Sequence, residues 1–521
     1  MAKRIMVQGT GSHVGKSVIV AALCRIFLQD GYRVAPFKSQ NMALNSYVTK
    51  DGLEIGRAQA FQAFAAGKEP TVEMNPILLK PTSDVGAQVI VRGRPVGNMT
   101  AQEYHEYKSA ALTLIKECFE KLDRENEIVA IEGAGSPAEV NLRENDIVNM
   151  SIAKLLDAPV LLLGDIDKGG VFASIVGTLE LLEEDERELL KGFLINKFRG
   201  DLEILKPGLE FLEKRTRKPV LGVIPYFQDI RIQEEDSVSL SGKTGQIKGM
   251  RHGEKREILI KVVQLPRISN FTDFDALEAE NDVLLRYVGE GDKLGEPDVI
   301  IIPGSKNTIS DLSYLKESGY ASEIVEKART GKCVVFGICG GYQMLCESLI
   351  DPEGVESTLG ELEGLGLLPA RTTFESHDLK MTNQVRAIAD LAFYQGEIAG
   401  YEIHMGRTYF SEEGVKPAFT IVERSGKAVP NESGGAAFGN VIGTYIHGIF
   451  DNDDFRQAFL DYIRAKKGLP TAVPVRSAAK NRGESTAGIN WDNEYNKLAD
   501  LVRGSIDMDK LYEIVLRDGL Q

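Results

Sequence analysis

Short apolar runs alternate with segments of helical periodicity through the first half of the 521-residue chain. The runs are continuous rather than alternating, which is typical of strands buried on both faces of a parallel sheet. The predicted strands that contain them span 5–7, 33–37, 128–131, 160–163, 192–195 and 220–225. This order predicts an α/β fold with a mostly parallel sheet.

The pattern changes after residue 228, where the chain becomes polar and charged. We interpret 229–256 as a linker between a first domain, 1–228, and a second domain. New apolar runs start at Ile258 and predict another α/β domain over 257–456. Helical periodicity then predicts a helical extension over 457–521.

Composition narrows the classes of partner. The formal net charge is −15, which argues against a nucleic-acid or anionic-membrane partner. The five cysteines have no C-x-x-C spacing, which argues against a disulfide framework or a zinc site. No apolar leader or long apolar run is present, so we expect a cytoplasmic protein. The sequence does not predict an oligomeric state.

The first apolar run leads into a glycine loop and then an apolar helix. Gly11 and Gly15 let backbone amides turn toward an anion, Lys16 can reach the outer phosphates and Ser17 can hold Mg²⁺. This order predicts an ATP-binding P-loop. The loop resembles that of dethiobiotin synthetase and its relatives, which activate carboxylates with ATP. It reads Gly9-Thr10-Gly11-Ser12-His13-Val14-Gly15-Lys16-Ser17.

Polar residues follow the other strands of this half, at the edge where ligands collect in a parallel sheet. Lys38 is a candidate phosphate contact. Glu132 and Asp165 are candidate metal ligands, because carboxylates suit Mg²⁺. Asn196 is a candidate for reading the nucleotide base.

The second half contains a nucleophile elbow around Cys339. A strand, the sequence Gly337-Ile338-Cys339-Gly340-Gly341 and a helix follow in order. This geometry exposes a sulfur on a tight turn, and the helix N-terminus favours its thiolate. The amide of Gly340 and one from the turn at Gly304 could form an oxyanion hole.

Two histidines have the strand-end setting expected for a partner base. We assign His447 as the base and His404 to site structure or glutamine binding. These residues resemble a class I glutamine amidotransferase domain of the type fused to corrin-ring amidases. Such enzymes usually carry an acid two residues after the histidine, where this chain has Ile449. The corrin branch lacks that acid, which implies a Cys–His dyad, and Glu402 is a candidate to orient the imidazole.

Motifs throughout the chain resemble those of the cobyric acid synthase family. The resemblance implies amidation of the b, d, e and g carboxylates of adenosylcobyrinic acid a,c-diamide, through an acyl phosphate and ammonia cut from glutamine. It implies ATP, Mg²⁺, glutamine and a corrinoid substrate, with no tightly bound prosthetic group. The motifs lie at 37–46, 54–59, 132–142 and 165–172.

Two alternatives remain open. Cobyrinic acid a,c-diamide synthase has the same two modules, although the first-half motifs favour cobyric acid synthase. A partitioning-type ATPase switch that carries an inactive amidotransferase fold is an alternative of another class. Such switches usually have a lysine near the start of the loop, where this chain has Gln8 and Thr10.

Overall fold

The computed structural model describes residues 1–82, 86–233, 257–357, 359–374, 380–411, 416–471 and 488–516. These residues form two compact units. The first unit comprises the described residues of Met1–Ala43, Ile55–Gln233 and Trp491–Gln521, and the second those of Leu44–Glu54 and Glu234–Asn490.

The strands and helices are given in chain order. The strands are β1 (Lys3–Gly9), β2 (Val34–Phe37), β3 (Gln40–Met42), β4 (Ser46–Val48), β5 (Glu54–Gly56), β6 (Ile77–Pro81), β7 (Gly86–Val91), β8 (Arg94–Thr100), β9 (Ile128–Glu132), β10 (Val160–Asp165), β11 (Leu190–Phe198), β12 (Val220–Pro225), β13 (Ile258–Val263), β14 (Ile268–Ser269), β15 (Val283–Val288), β16 (Val299–Ile302), β17 (Gly304–Ser305), β18 (Val334–Ile338), β19 (Ser348–Ile350), β20 (Glu361–Glu363), β21 (Ala370–Thr373), β22 (Met381–Leu391), β23 (Tyr394–His404), β24 (Arg407–Phe410), β25 (Phe419–Arg424), β26 (Lys427–Phe438), β27 (Val441–Thr444) and β28 (Ile446–His447). The α-helices are α1 (Lys16–Gln29), α2 (Arg57–Ala65), α3 (Ala101–Glu125), α4 (Met150–Leu155), α5 (Val171–Leu181), α6 (Glu184–Leu189), α7 (Leu202–Thr216), α8 (Asp275–Glu278), α9 (Thr308–Glu317), α10 (Tyr320–Thr330), α11 (Gly340–Leu345), α12 (Asp453–Lys466), α13 (Trp491–Arg503) and α14 (Met508–Leu516).

A parallel sheet forms the centre of the first unit, in the order β12-β11-β10-β1-β9-β2. Its strands are the apolar runs of the sequence. The inner strands β9 and β10 are buried, as expected where helices cover both faces of a sheet, while the edge strand β12 is only partly buried. This sheet confirms the predicted α/β class. A smaller sheet, β3-β6-β7-β8, extends the unit.

The second unit has a mixed sheet in the order β15-β13-β16-β18-β27-β26-β25-β22-β23-β28. Its first five strands are parallel, and the remaining pairs are antiparallel. Along β22 buried and exposed residues alternate, as expected where one face of a sheet meets solvent. The parallel part carries the nucleophile elbow at the end of β18.

The chain is divided differently from the predicted domain boundaries. The predicted extension, 457–521, is split, since α12 belongs to the second unit and α13 and α14 to the first. The reason is packing, because Phe459 of α12 lies in the second core and Leu498 of α13 in the first. Most of the predicted linker lies outside the described residues.

Residues 44–54 come from the first half of the sequence and pack with the second unit. Asn270 fixes this segment, because its side chain accepts a hydrogen bond from the Ser46 amide and donates one to the Ser46 carbonyl, both at 3.2 Å. Thr382 donates to the carbonyl of Gly52 at 2.8 Å. None of the helices in the described ranges combines the length and apolar content needed to cross a bilayer.

Candidate active site

The glycine loop joins β1 to α1, as the sequence predicts. Gly15 has a φ of 103°, a left-handed conformation that glycine adopts without strain. Lys16 donates hydrogen bonds to the carbonyls of Gly11 at 2.8 Å and Gly135 at 3.0 Å. The loop therefore holds its lysine across the opening of the strand-to-helix turn.

Glu132, at the end of β9, gathers several of the predicted residues. Its Oε1 accepts hydrogen bonds from Ser17 Oγ and Lys38 Nζ, both at 2.8 Å. Gln62 of α2 donates to its other oxygen at 2.6 Å. Lys38 and Glu132 are buried, with exposed fractions of 4% and 1%, so the two charges balance each other away from solvent. No sequence pattern predicts Gln62 at this position.

The oxygen donors of this cluster suit Mg²⁺. Ser17 Oγ and a Glu132 oxygen lie next to each other, and Mg²⁺ usually takes one or two protein oxygens together with substrate phosphates. In the ranges that the structure describes, no group of three or more His, Cys, Asp or Glu side chains is arranged to hold a metal. Ser17 and Glu132 are the residues of this cluster whose oxygens could hold such an ion.

Two other predicted residues make different contacts from those expected. Asn196 donates a hydrogen bond at 2.8 Å to the carbonyl of Val14 in the glycine loop, so its amide supports the loop instead of facing outward as a base reader would. Asp165 forms an ion pair at 2.8 Å with Lys197, which in turn donates to the carbonyl of His13. The structure thus places Asp165 beside a lysine and not in the Glu132 cluster.

Cys339 lies on the turn between β18 and α11. Its φ of 53° and ψ of −111° are unusual for a residue with a side chain, and such strain concentrates at functional sites. Cys339 is 5% exposed, and its thiol lies 3.5 Å from the carbonyl oxygen of Ile403.

The glycines beside Cys339 are required by close backbone contacts. A Cβ on Gly340 would lie 2.9 Å from the amide nitrogen of Ser305 in β17. The backbones of the elbow and of β17 are therefore too close to admit a side chain at this position. A Cβ on Gly304 would lie 3.3 Å from Cε1 of His447. The structure therefore brings Cys339, Gly340, Gly304 and His447 into one site.

His447 is held by an aspartate that the sequence analysis missed. Its Nδ1 lies 2.6 Å from Oδ2 of Asp273, and Tyr401 stacks on the ring with centroids 5.2 Å apart. Burial lowers the pKa of His447, but the charge and hydrogen bond of Asp273 and the adjacent Cys339 outweigh it and raise that pKa to about 10. No local motif pointed to Asp273, which is 174 residues away in sequence.

Asp273, and not the predicted Glu402, takes the orienting position at Nδ1 of His447. The carboxylate of Glu402 is held by Arg424, whose Nε donates to it at 2.7 Å. Burial raises the pKa of Glu402, but the nearby His404 ring, 3.9 Å away, and the hydrogen bonds from Arg424 lower it below the usual value. His404 stacks on Tyr445 at 3.7 Å, and its Nδ1 lies 3.1 Å from the carbonyl oxygen of Gly406.

Gln343 of α11 links the elbow to this strand end. Its amide nitrogen donates to the carbonyl of Met405 at 2.7 Å, while its oxygen accepts from Thr308 at 3.0 Å. His404 thus lies at the end of a strand that contacts the elbow, next to Ile403, whose carbonyl oxygen faces the Cys339 thiol.

Both units match known families. Residues 5–240 match the CobQ/CobB/MinD/ParA nucleotide binding domain. Residues 259–455 match the CobB/CobQ-like glutamine amidotransferase domain. The two matches fall on the glycine loop and on the cysteine elbow, respectively.

Three relatives that match over nearly their full length are named cobyric acid synthase. The protein of Streptococcus sanguinis strain SK36 is 50% identical over 99% of this chain and 100% of its own. That of Alkaliphilus metalliredigens is 52% identical, over 98% and 99%. That of Dehalococcoides mccartyi strain CBDB1 is 52% identical over the whole of both chains. The chain therefore belongs to the cobyric acid synthase family.

Proposed function

We propose that this protein is a carbon–nitrogen ligase that amidates the b, d, e and g carboxylates of adenosylcobyrinic acid a,c-diamide with nitrogen from glutamine. The observation that carries the proposal is the similarity to cobyric acid synthases across both units. The glycine loop and the cysteine elbow supply the two chemistries that such a reaction needs.

Glutamine is cleaved at the elbow. The Cys339 thiol gives its proton to His447, and the sulfur attacks the side-chain carboxamide carbon. Gly340 and the turn at Gly304 donate to the oxyanion. The C–N bond breaks as His447 returns a proton to the leaving ammonia, and water hydrolyses the thioester to glutamate.

The first unit activates the acceptor. Transfer of the γ-phosphoryl group of ATP to the corrinoid carboxylate gives an acyl phosphate, and ammonia displaces phosphate to form the amide. Lys16 and Lys38 offset the charge of the transferring group. Mg²⁺, held by Ser17 and Glu132, would neutralise phosphate oxygens.

The test is ATP-dependent amidation of the diamide with glutamine or with ammonia. We expect Cys339→Ala to lose glutamine-dependent product and to keep ammonia-dependent product, because only the glutaminase step needs the thiol. Cys333→Ala is the matched control, since Cys333 is a buried thiol directly before β18, the strand that leads to Cys339, and should keep both activities.

The product mass separates the alternatives. Four added amides support cobyric acid synthase. Conversion of cobyrinic acid itself to a diamide supports cobyrinic acid a,c-diamide synthase. Hydrolysis of ATP without any amide or glutamate formed would support the ATPase switch and would contradict the proposal.

A further inference from the structure

Asp273 contacts both the imidazole ring of His447 and the backbone amide of the next residue, Gly448. One carboxylate oxygen lies 2.6 Å from His447 Nδ1, and the other accepts a hydrogen bond at 3.0 Å from the amide of Gly448. Asp273 is 3% exposed and His447 is 1% exposed. A buried contact with two hydrogen bonds fixes direction as well as distance.

We propose that Asp273 is the acid that positions His447 for glutamine hydrolysis, so that the site is a Cys–His–Asp triad. This inference rests on the proposed function, because it concerns the glutaminase step. Asp273 precedes Cys339 in the chain. It takes the role of the acid that other class I enzymes carry two residues after the histidine, where this chain has Ile449.

The contact selects one form of the ring. A carboxylate only accepts hydrogen bonds, so Nδ1 of His447 must carry a hydrogen. Nε2 is then the nitrogen that exchanges a proton with Cys339. The face of the ring lies against Tyr401 and its edge against Gly304, so the imidazole has little room to turn.

The surrounding charges favour the proton transfer. Asp273 and Cys339 are the titratable groups that shift the pKa of His447, and the Tyr401 ring stacks on its face. Burial opposes a charged imidazole, but Asp273 and the adjacent Cys339 together more than compensate, and the pKa of His447 rises to about 10. A stabilised imidazolium draws the proton from the thiol and stays available to protonate the leaving ammonia.

The core fixes the position of the acid. Asp273 lies in a single turn of 3-10 helix, Phe271–Phe274, whose two phenylalanines are buried in the second core. Asn270 precedes this turn in the left-handed conformation, with a φ of 52°, and donates to the Tyr401 hydroxyl at 2.9 Å. The acid and the ring that stacks on His447 are thus tied to each other.

The test measures glutamate release in the presence of ATP and the diamide for wild type, Asp273→Asn and Asp273→Glu. We expect Asp273→Asn to lower kcat for glutamine about 10²- to 10⁴-fold and to leave ammonia-dependent amidation unchanged. The alkaline limb of the pH profile should move to lower pH, because the pKa of His447 falls without the carboxylate. Asp273→Glu should restore part of the rate.

Asp282→Asn is the matched control, since Asp282 is an acid of the same unit that pairs with Arg464, and it should keep the wild-type profile. Glutamine hydrolysis by Asp273→Asn within about twofold of wild type, with an unchanged pH profile, would overturn the inference. Parallel loss of the ammonia-dependent reaction would also overturn it, since the role would then be structural. A wild-type protein that releases no glutamate would refute the proposed function itself.

Discussion

Glu132 is a buried carboxylate that forms an ion pair with Lys38 at 2.8 Å. Ser17 and Gln62 donate neutral hydrogen bonds to it, while Lys38 supplies the opposite charge. Removing one member of a buried ion pair leaves an uncompensated charge, which costs far more than the pair contributes. The pair therefore makes a specific prediction about stability.

We expect Lys38→Met to lower the free energy of unfolding of the first unit by about 3–5 kcal/mol, and Lys38→Met/Glu132→Gln to recover part of that loss. Urea unfolding followed by tryptophan fluorescence measures this, because the only tryptophan of the sequence, Trp491, packs 6.1 Å from Phe61 in the same unit. Strictly additive losses in the double variant would contradict the prediction.

Asn196 supports the glycine loop, so its removal should affect all nucleotides alike. We expect Asn196→Ala to weaken the binding of ATP and GTP by the same factor, about three- to tenfold, which corresponds to one lost hydrogen bond. Isothermal titration calorimetry with both nucleotides measures the two affinities. A selective loss of ATP binding would instead restore the base-reading role predicted from the sequence.

Individual residues differed in how far the sequence could predict them. Cys339 was predictable because the tight elbow requires glycines beside it. Close contacts within a few residues and with one neighbouring turn leave no room for a side chain, so the glycines mark the elbow in the sequence. Asp273 was not, since its partner is brought close only by the fold. The same holds for Gln62, which reaches Glu132 from a helix whose pattern signals only burial.

At the scale of elements, continuous apolar runs predicted the parallel strands well. A strand buried on both faces has a pattern of its own, and β1 and β18 each lead into a glycine turn. The order of strands was not predictable, because β18 pairs with β27 about a hundred residues later. The packing of segment 44–54 with the second unit likewise depends on tertiary contacts.

Segment 44–54 contacts two residues, Asn270 and Tyr401, that lie next to the proposed triad. Asn270 bonds to Ser46 and to the Tyr401 hydroxyl, and Tyr47 packs against Tyr401 with centroids 5.6 Å apart. Tyr401 in turn stacks on His447. Release of the segment should therefore disturb the ring that restrains the imidazole.

We expect Asn270→Ala to lower kcat for glutamine hydrolysis about tenfold, while Thr382→Val leaves it unchanged. Thr382 is the matched control because it bonds to the far end of the segment, at Gly52. Steady-state glutamate release measures the rates, and hydrogen exchange of residues 44–54 reports the release. An Asn270→Ala protein with faster exchange and wild-type turnover would contradict the prediction.

At the scale of the whole molecule, the first unit is built from both ends of the chain. Helix α13 packs on α1, and the Asp507 amide donates to the carbonyl of Leu221 in β12 at 2.7 Å. Arg503 pairs with Asp30 at the end of α1 at 2.8 Å. The sequence predicted these C-terminal helices. Their polar and apolar pattern shows that one face is buried, but it does not indicate against which of the two cores that face packs.

This closure predicts that a C-terminal core substitution weakens the nucleotide-binding unit. We expect Leu498→Ala, which leaves a cavity in the first core, to lower its free energy of unfolding by about 2–5 kcal/mol. Lys510→Ala removes only an exposed ion pair with Asp507 and should cost less than about 1 kcal/mol. Trp491 fluorescence reports unfolding of the first unit, and residual glutamine hydrolysis in the same urea series reports the second. Because Leu498 packs in the core of the first unit, Leu498→Ala should lower the urea midpoint measured by fluorescence and leave the midpoint measured by activity unchanged. Equal shifts of both midpoints would show that the two units unfold as one and would contradict the prediction.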